Sequence, residues 1–198
     1  RFKSSTNQAP RRFDKGDAGG ELWVWLRLKL IADVGFVGFP NVGKSTLLSV
    51  LSNAKAKIAN YPFTTLKPQL GVMRHNYKDI VLADLPGLIE GASDGVGLGL
   101  KFLAHVERCK VICHVCDVSQ NLNDNYLTIR KELKKYNNVL KDKKELILLS
   151  KCDTIEENKI EKFKTELMKV TNSEIIPISS HTKFGINKLR LSLVKIFE

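Results

Sequence analysis

The chain has 198 residues, 43% hydrophobic and 27% charged, which is the balance of one ordinary globular domain with a proper core and room for part of a second. That balance excludes a disordered tail, a collagen-like fibre and a disulfide-stapled miniprotein. Lys and Arg number 32 against 21 Asp and Glu, a net charge of +11, which favours nucleic acid, nucleotides or an anionic membrane face as partner and names no function.

Residues 1–20, RFKSSTNQAPRRFDKGDAGG, are polar, basic and turn-rich, and read as an extended segment or linker. The run LWVWLRLKL then alternates, with Leu22, Val24, Leu26, Leu28 and Leu30 on one face and Trp23, Trp25, Arg27 and Lys29 on the other. Strict period two predicts a half-exposed strand. Its partner strands must come from elsewhere, so the chain, which starts at Arg1 rather than Met, is expected to be a fragment lacking an upstream domain. The first twenty residues hold no apolar run of a secretory signal. Residues 22–39 are interrupted by Arg27, Lys29 and Asp33, which excludes a membrane span.

From Ile31 onward, short apolar runs alternate with helical periodicity. The predicted strands are ADVGFVGF, LGVMR, DIVLADL, KVICHVCDV, ELILLS and EIIPIS. Helices are predicted over 45–53, 99–107, 123–141, 155–170 and 186–197. This pattern predicts an α/β fold, a mostly parallel six-stranded sheet with helices on both faces, whose ligands bind at the carboxyl ends of the strands. Cys109, Cys113 and Cys116 lie inside one predicted strand, with Cys152 further on. Together with His114 they can be drawn as a zinc site, but no second Cys or His pair stands at finger spacing, and a strand turns Cys113 and Cys116 to opposite faces. They read as buried, reduced thiols, which suit the cytosol or an organelle interior.

The first of these strands ends in Gly38-Phe39-Pro40-Asn41-Val42-Gly43-Lys44-Ser45 and runs into Thr46-Leu47-Leu48. This is G-x-x-x-x-G-K-[ST] in its strand–loop–helix setting. The glycines let backbone N–H groups face a phosphate, the helix start adds its positive dipole end, Lys44 reaches the β- and γ-phosphates, and Ser45 can ligate Mg²⁺. Downstream, Asp84-Leu85-Pro86-Gly87 closes a strand, placing a carboxylate to hold Mg²⁺ and a Gly amide near a γ-phosphate. Between the two lies Tyr61-Pro62-Phe63-Thr64-Thr65, where a Thr hydroxyl can complete the Mg²⁺ shell. Ser150-Lys151-Cys152-Asp153 and then Ser179-Ser180-His181 follow later strands. Asp153 can accept from guanine N1–H and its 2-amino group, donors that adenine lacks, and Lys151 can lay its aliphatic stem along the base.

In this order the motifs resemble the Obg family of translation-factor-class GTPases. The match rests on GFPNVGKSTLL, NYPFTTLKPQLGV and ADLPGLIEGASDGVGLGLKFLAHVERC. RFKSSTNQAPRR is similar to the end of the glycine-rich domain that precedes the GTPase domain in that family. The resemblance therefore implies residues 1–30 as the remnant of that domain with a linker strand, and 31–198 as a Ras-like P-loop GTPase domain. It implies GTP and GDP as ligands with Mg²⁺, held by Ser45, Thr65 and Asp84. Lys44, Thr65 and Gly87 would act in catalysis, Asp153 would read guanine, and Ser179-Ser180 would support the base. It further implies a cytoplasmic or organellar monomer, without integral membrane, that associates with the ribosome or rRNA.

Three positions bear on mechanism. Leu88 stands where Ras-type GTPases place a water-orienting Gln, so intrinsic hydrolysis is expected to be slow. Asn41 matches the position at which K⁺-stimulated relatives coordinate that ion, which makes K⁺ a second candidate ion and Asn41 a candidate catalytic residue. Ser150 replaces the family's Asn, whose amide ties the base loop to the phosphate loop, so weaker nucleotide binding or a more mobile base loop is expected. Gly91, Gly95, Gly97 and Gly99 crowd the segment after Gly87, which reads as a nucleotide-dependent switch. An ATP-preferring Obg-like ATPase, a nucleotide-binding scaffold without turnover and a P-loop small-molecule kinase are the competing functions.

Overall fold

The computed structural model describes residues 3–11, 13–24, 32–52, 57–58, 68–75, 77–85, 105–136, 140 and 143–198. All six predicted strands form: β1 (Ala32–Val37), β3 (Gln69–His75), β4 (Lys78–Asp84), β5 (Cys109–Asp117), β6 (Lys144–Ser150) and β7 (Glu174–Pro177). A further two-residue strand, β2 (Lys57–Ile58), adds to the edge. The order is β2-β3-β4-β1-β5-β6-β7. β1 pairs in parallel with β4 and β5, and β6 in parallel with β5 and β7, whereas β2–β3 and β3–β4 are antiparallel.

The helices are α1 (Lys44–Leu51), α2 (Leu122–Tyr136), α3 (Glu157–Met168) and α4 (Ile186–Phe197), and residues 105–107 are also helical. Their apolar stripes sort onto the two faces of the sheet. Leu47, Leu48 and Leu51 of α1 join Leu189 and Leu193 of α4 over Phe36, Leu82 and Leu148 on one face. On the other face, Ile129 and Leu133 of α2 cover Val37 and Ile112, and Ile160 and Leu167 of α3 cover Leu149 and Ile175. Each buried Leu or Ile contributes about 1.5–3 kcal/mol over its exposed state. Because both faces are covered, the central strands β1, β5 and β6 read as near-continuous apolar runs rather than alternating ones.

Cys113 falls in the first cluster and Cys116 in the second face's cluster, as a pleated strand requires. All four cysteines are buried and free. Burial pushes the Cys109 thiol up to about 12 and the Cys152 thiol up to about 11, so neither is a thiolate at neutral pH. Of the alternating run at 22–30, three residues are among those described. Leu22, Trp23 and Val24 carry no strand, and Trp23 is 100% exposed. Among the described residues no strand pairs with Leu22, Trp23 or Val24. Trp25 to Leu30 lie outside the described residues, as do residues 99–104 of the helix predicted over 99–107.

Among the described residues, no helix is long and apolar enough to cross a membrane.

Candidate nucleotide site

The carboxyl ends of β1, β4, β5 and β6 align, with Phe36 opposite Asp84 and Asp117 opposite Ser150. Side chains and loops leaving these ends therefore converge at one rim of the sheet. β1 runs out at Val37, and the loop that follows turns through Asn41 (φ 63°) and Gly43 (φ 99°), both in the left-handed region. A Cβ on Gly38 would sit 2.5 Å from the Val115 carbonyl oxygen of β5, so only glycine lets this loop lie flat against the neighbouring strand.

Gly43 caps α1 with no side-chain hydrogen bond, leaving the first N–H groups of the helix facing the loop. The C-terminal end of α1 is held by Arg190, whose Nη2 donates to the Val50 carbonyl at 3.1 Å.

Lys44 lies back across the loop, its Nζ donating to the Gly38 carbonyl at 3.0 Å and the Phe39 carbonyl at 2.9 Å. Burial lowers its pKa, and the Asp84 charge opposes that shift. The Ser45 hydroxyl donates to Asp84 Oδ2. Burial raises the Asp84 pKa against the Ser45 hydrogen bond and the Lys44 charge. Asp84 Oδ1 is buried and has no hydrogen-bond partner among the described residues. A hydroxyl and an under-satisfied carboxylate side by side form the oxygen donor set that a hard divalent cation takes. Leu85 is fully buried beneath them.

The second half of the site comes from β6 and β7. The buried Ser150 hydroxyl donates to the Val42 carbonyl at 2.7 Å, which joins the loop after β6 to the loop after β1. Lys151 follows in the left-handed region (φ 60°, ψ 33°) and leads into a short 3-10 turn, Cys152–Thr154. The Cys152 N–H donates to the Ile178 carbonyl at 3.2 Å, which sets this loop beside Ser179, Ser180 and His181. The exposed Asp153 carboxyl is held below the usual carboxylate range by a hydrogen bond from Ser179. Ser179 is fully buried, and its Oγ also accepts from the Thr182 N–H at 3.1 Å.

Gly38 to Thr46, Asp84, Leu85, Ser150 to Asp153 and Ser179 to His181 are thus brought to one rim. Phe63, Thr64, Thr65, Pro86, Gly87, Leu88 and Gly91 to Gly99 lie outside the described residues. Sequence reasoning missed Asp117 and Ser119, which sit at the same rim beside Lys151. Their signal is D-x-S at a strand end, a pattern that forms a local side-chain turn. A separate cavity of 630 Å³, lined in part by Arg130, Lys144, Glu145, Ser173 and Lys195, opens at the opposite, amino ends of β6 and β7.

The sequence profile described as 50S ribosome-binding GTPase matches residues 33–151. A protein named GTPase Obg from Rickettsia massiliae is 53% identical over 189 residues, covering 95% of this chain and 57% of its own length. One of the same name from Orientia tsutsugamushi is 53% identical over 194 residues, covering 98% and 59%. The chain therefore spans somewhat more than half the length of these curated relatives. Among solved structures, the G domain of the T. maritima FeoB iron transporter superposes with a TM-score of 0.64 at 24% identity, over 83% of this chain and 98% of that one. That likeness speaks to the fold: a Ras-like P-loop GTPase sheet.

Proposed function

Because the chain belongs to the 50S ribosome-binding GTPase family, we propose that it binds GTP and GDP and hydrolyses GTP as a molecular switch in ribosome assembly or related regulation. The observation that carries this reading is the convergence of a glycine-turned phosphate loop, Asp84 and the Ser150–Asp153 loop on one rim. Residues 31–198 form the GTPase unit of this proposal, and residues 1–30 the tail of a preceding glycine-rich domain.

Within it, the N–H groups at the start of α1 and the Lys44 ammonium take the β- and γ-phosphates. Ser45 and Asp84 are the described residues that would hold Mg²⁺, with Thr65 completing the set, and the orphaned Asp84 Oδ1 supports that fit. When bound, Mg²⁺ would neutralise charge on the β- and γ-phosphate oxygens. Gly87 would present its amide to the γ-phosphate. Asp153 accepts from the guanine edge while Ser179 keeps its carboxylate ionised and oriented. With Leu88 in place of a water-orienting side chain, intrinsic turnover is slow. Asn41, exposed in the phosphate loop, is the side chain that would coordinate K⁺.

The test is phosphate release from GTP by the chain alone and with large ribosomal subunits, in Na⁺ and in K⁺. Slow release that rises on adding subunits supports the proposal. No turnover under any condition would leave a nucleotide-binding scaffold. A rate indifferent to Na⁺ or K⁺ removes the Asn41 role alone.

A further inference from the structure

We propose that Asp117 is the positioning residue of the base-reading loop: it holds the Lys151 ammonium so that the lysine stem lies where a nucleotide base packs against it. This rests on the guanine-nucleotide reading above and assigns a part in it to Asp117 at the end of β5, a residue outside the quoted motifs.

The Asp117 side chain is wholly buried at the end of β5, and its Oδ2 lies 2.5 Å from Lys151 Nζ. The other oxygen, Oδ1, accepts from the Ser119 N–H at 2.9 Å and the Ser119 hydroxyl at 2.6 Å. Both carboxylate oxygens are therefore used, and the group cannot rotate without breaking one set of bonds. Burial would raise the Asp117 pKa, but the hydrogen bonds from Lys151 and Ser119 hold it below the usual carboxylate range, so the anion persists at neutral pH.

Lys151 is pinned at its other end as well. Its carbonyl accepts from the Thr154 N–H at 3.0 Å and the Thr154 hydroxyl at 2.7 Å. Its left-handed backbone, uncommon for a residue with a long side chain, directs the chain into the turn that carries Asp153. With backbone and ammonium both fixed, the four-carbon stem spans the gap between them with 39% of the side chain still exposed. A lysine already ordered loses less freedom when a base settles on it, which is preorganisation of the binding surface. The bond from the Val118 N–H to the Ser150 carbonyl, 3.2 Å, ties the same two strand ends together.

Ser150 makes this arrangement matter more in this chain. Its hydroxyl has a single proton to donate, and that proton goes to Val42. An Asn at the same place would have an amide with two donors and an acceptor. The Asp117–Lys151 pair is a further side-chain attachment that keeps the base loop in register.

Asp117→Asn tests the proposal, since it keeps the shape and removes the charge. In the full chain, fluorescent-GDP affinity and dissociation rate, thermal midpoint, and GTP KM and kcat are measured. The expected result is roughly tenfold weaker GDP binding through faster dissociation, the scale of a partly exposed charge-assisted hydrogen bond, with KM raised and kcat within about twofold. Adding Ser150→Asn to Asp117→Asn is expected to recover roughly threefold, because the amide brings a second donor to the loop at Val42. Should Asp117→Asn not fold, Ser119→Ala carries the test, with an expected loss of roughly threefold from a loosened carboxylate.

GDP binding unchanged from the wild type overturns the proposal. So does a fall in kcat with KM unchanged, which is the signature of a purely structural pair. Failure of the wild-type chain to bind GDP overturns the nucleotide reading itself and this proposal with it, and is seen before any variant is compared.

Discussion

The Ser150 hydroxyl donates a 2.7 Å hydrogen bond to the Val42 carbonyl, joining the end of β6 to the phosphate loop 108 residues earlier in the chain. Both partners are buried, so the bond has no water to replace it. Ser150→Ala leaves that carbonyl unsatisfied, at a cost of about 1–3 kcal/mol. For a domain of this size that lowers Tm by roughly 2–4 °C per kcal/mol. Thermal unfolding with and without GDP checks it, and the loss of nucleotide affinity is expected to accompany the loss of stability because one bond serves both loops.

Gly185 begins α4 at φ 71°, and a Cβ there would meet the Pro177 carbonyl oxygen at 2.0 Å. Since that atom is backbone of β7, it cannot swing aside. Gly185→Ala is expected to destabilise by more than the roughly 1 kcal/mol of an ordinary left-handed alanine and to displace the Ser179 loop that packs beside it. Gly43, by contrast, has open space where a Cβ would project, so Gly43→Ala is expected to cost mainly its left-handed strain and to act on phosphate binding. Denaturant midpoints and GDP affinities of the two variants separate the effects.

His114 is completely buried in β5, its Nδ1 3.3 Å from Glu145 Oε1, with the Tyr126 ring 5.0 Å away and Arg130 sharing the Glu145 carboxylate at 3.5 Å. Burial opposes charging the imidazole, but Cys116 and Glu145 outweigh it and raise the pKa from 6.5 to about 9. The folded value lies above the unfolded one, so the stabilisation is fully present below pH 6.5 and is lost as pH rises through about 9. Tm is expected to fall between those pH values in the wild type and to change less over the same range in His114→Gln. A wild-type profile as flat as the variant's would contradict this.

Ser45 and Asp84 stand as a pair at the phosphate loop. Ser45→Ala removes one candidate oxygen ligand and frees Asp84 of its only described side-chain donor. The expected outcome is a weaker dependence of GTP binding on Mg²⁺ with little change in GDP binding measured in chelator. Titrating Mg²⁺ at fixed nucleotide checks it.

Much of this architecture is legible in the residues because the same physics wrote both. The central strands β1, β5 and β6, buried on both sides, show as apolar runs, and the phosphate loop shows as glycines at fixed spacing around Lys44. Lys57–Ile58 is not legible, since two residues carry no period, and only pairing with Leu70 and Gln69 makes them a strand. Of the alternating run from Leu22 only Leu22, Trp23 and Val24 are among the described residues, and they carry no strand. The partner of Ser150 is not legible in the sequence, because only the fold sets the Val42 carbonyl 2.7 Å from its hydroxyl. Asp117 is hidden at this level because its role depends on Lys151, which is 34 residues away and adjacent only once β5 and β6 pair.

The most direct measurement of the central claim is displacement of fluorescent GDP from the chain by GTP, GDP and ATP in the presence of Mg²⁺. The account predicts displacement by both guanine nucleotides and none by ATP at a roughly hundredfold excess, because a carboxylate placed for guanine's donors is left unpaired by adenine. Equal displacement by ATP would contradict it, and would mean that Asp153 does not select the base.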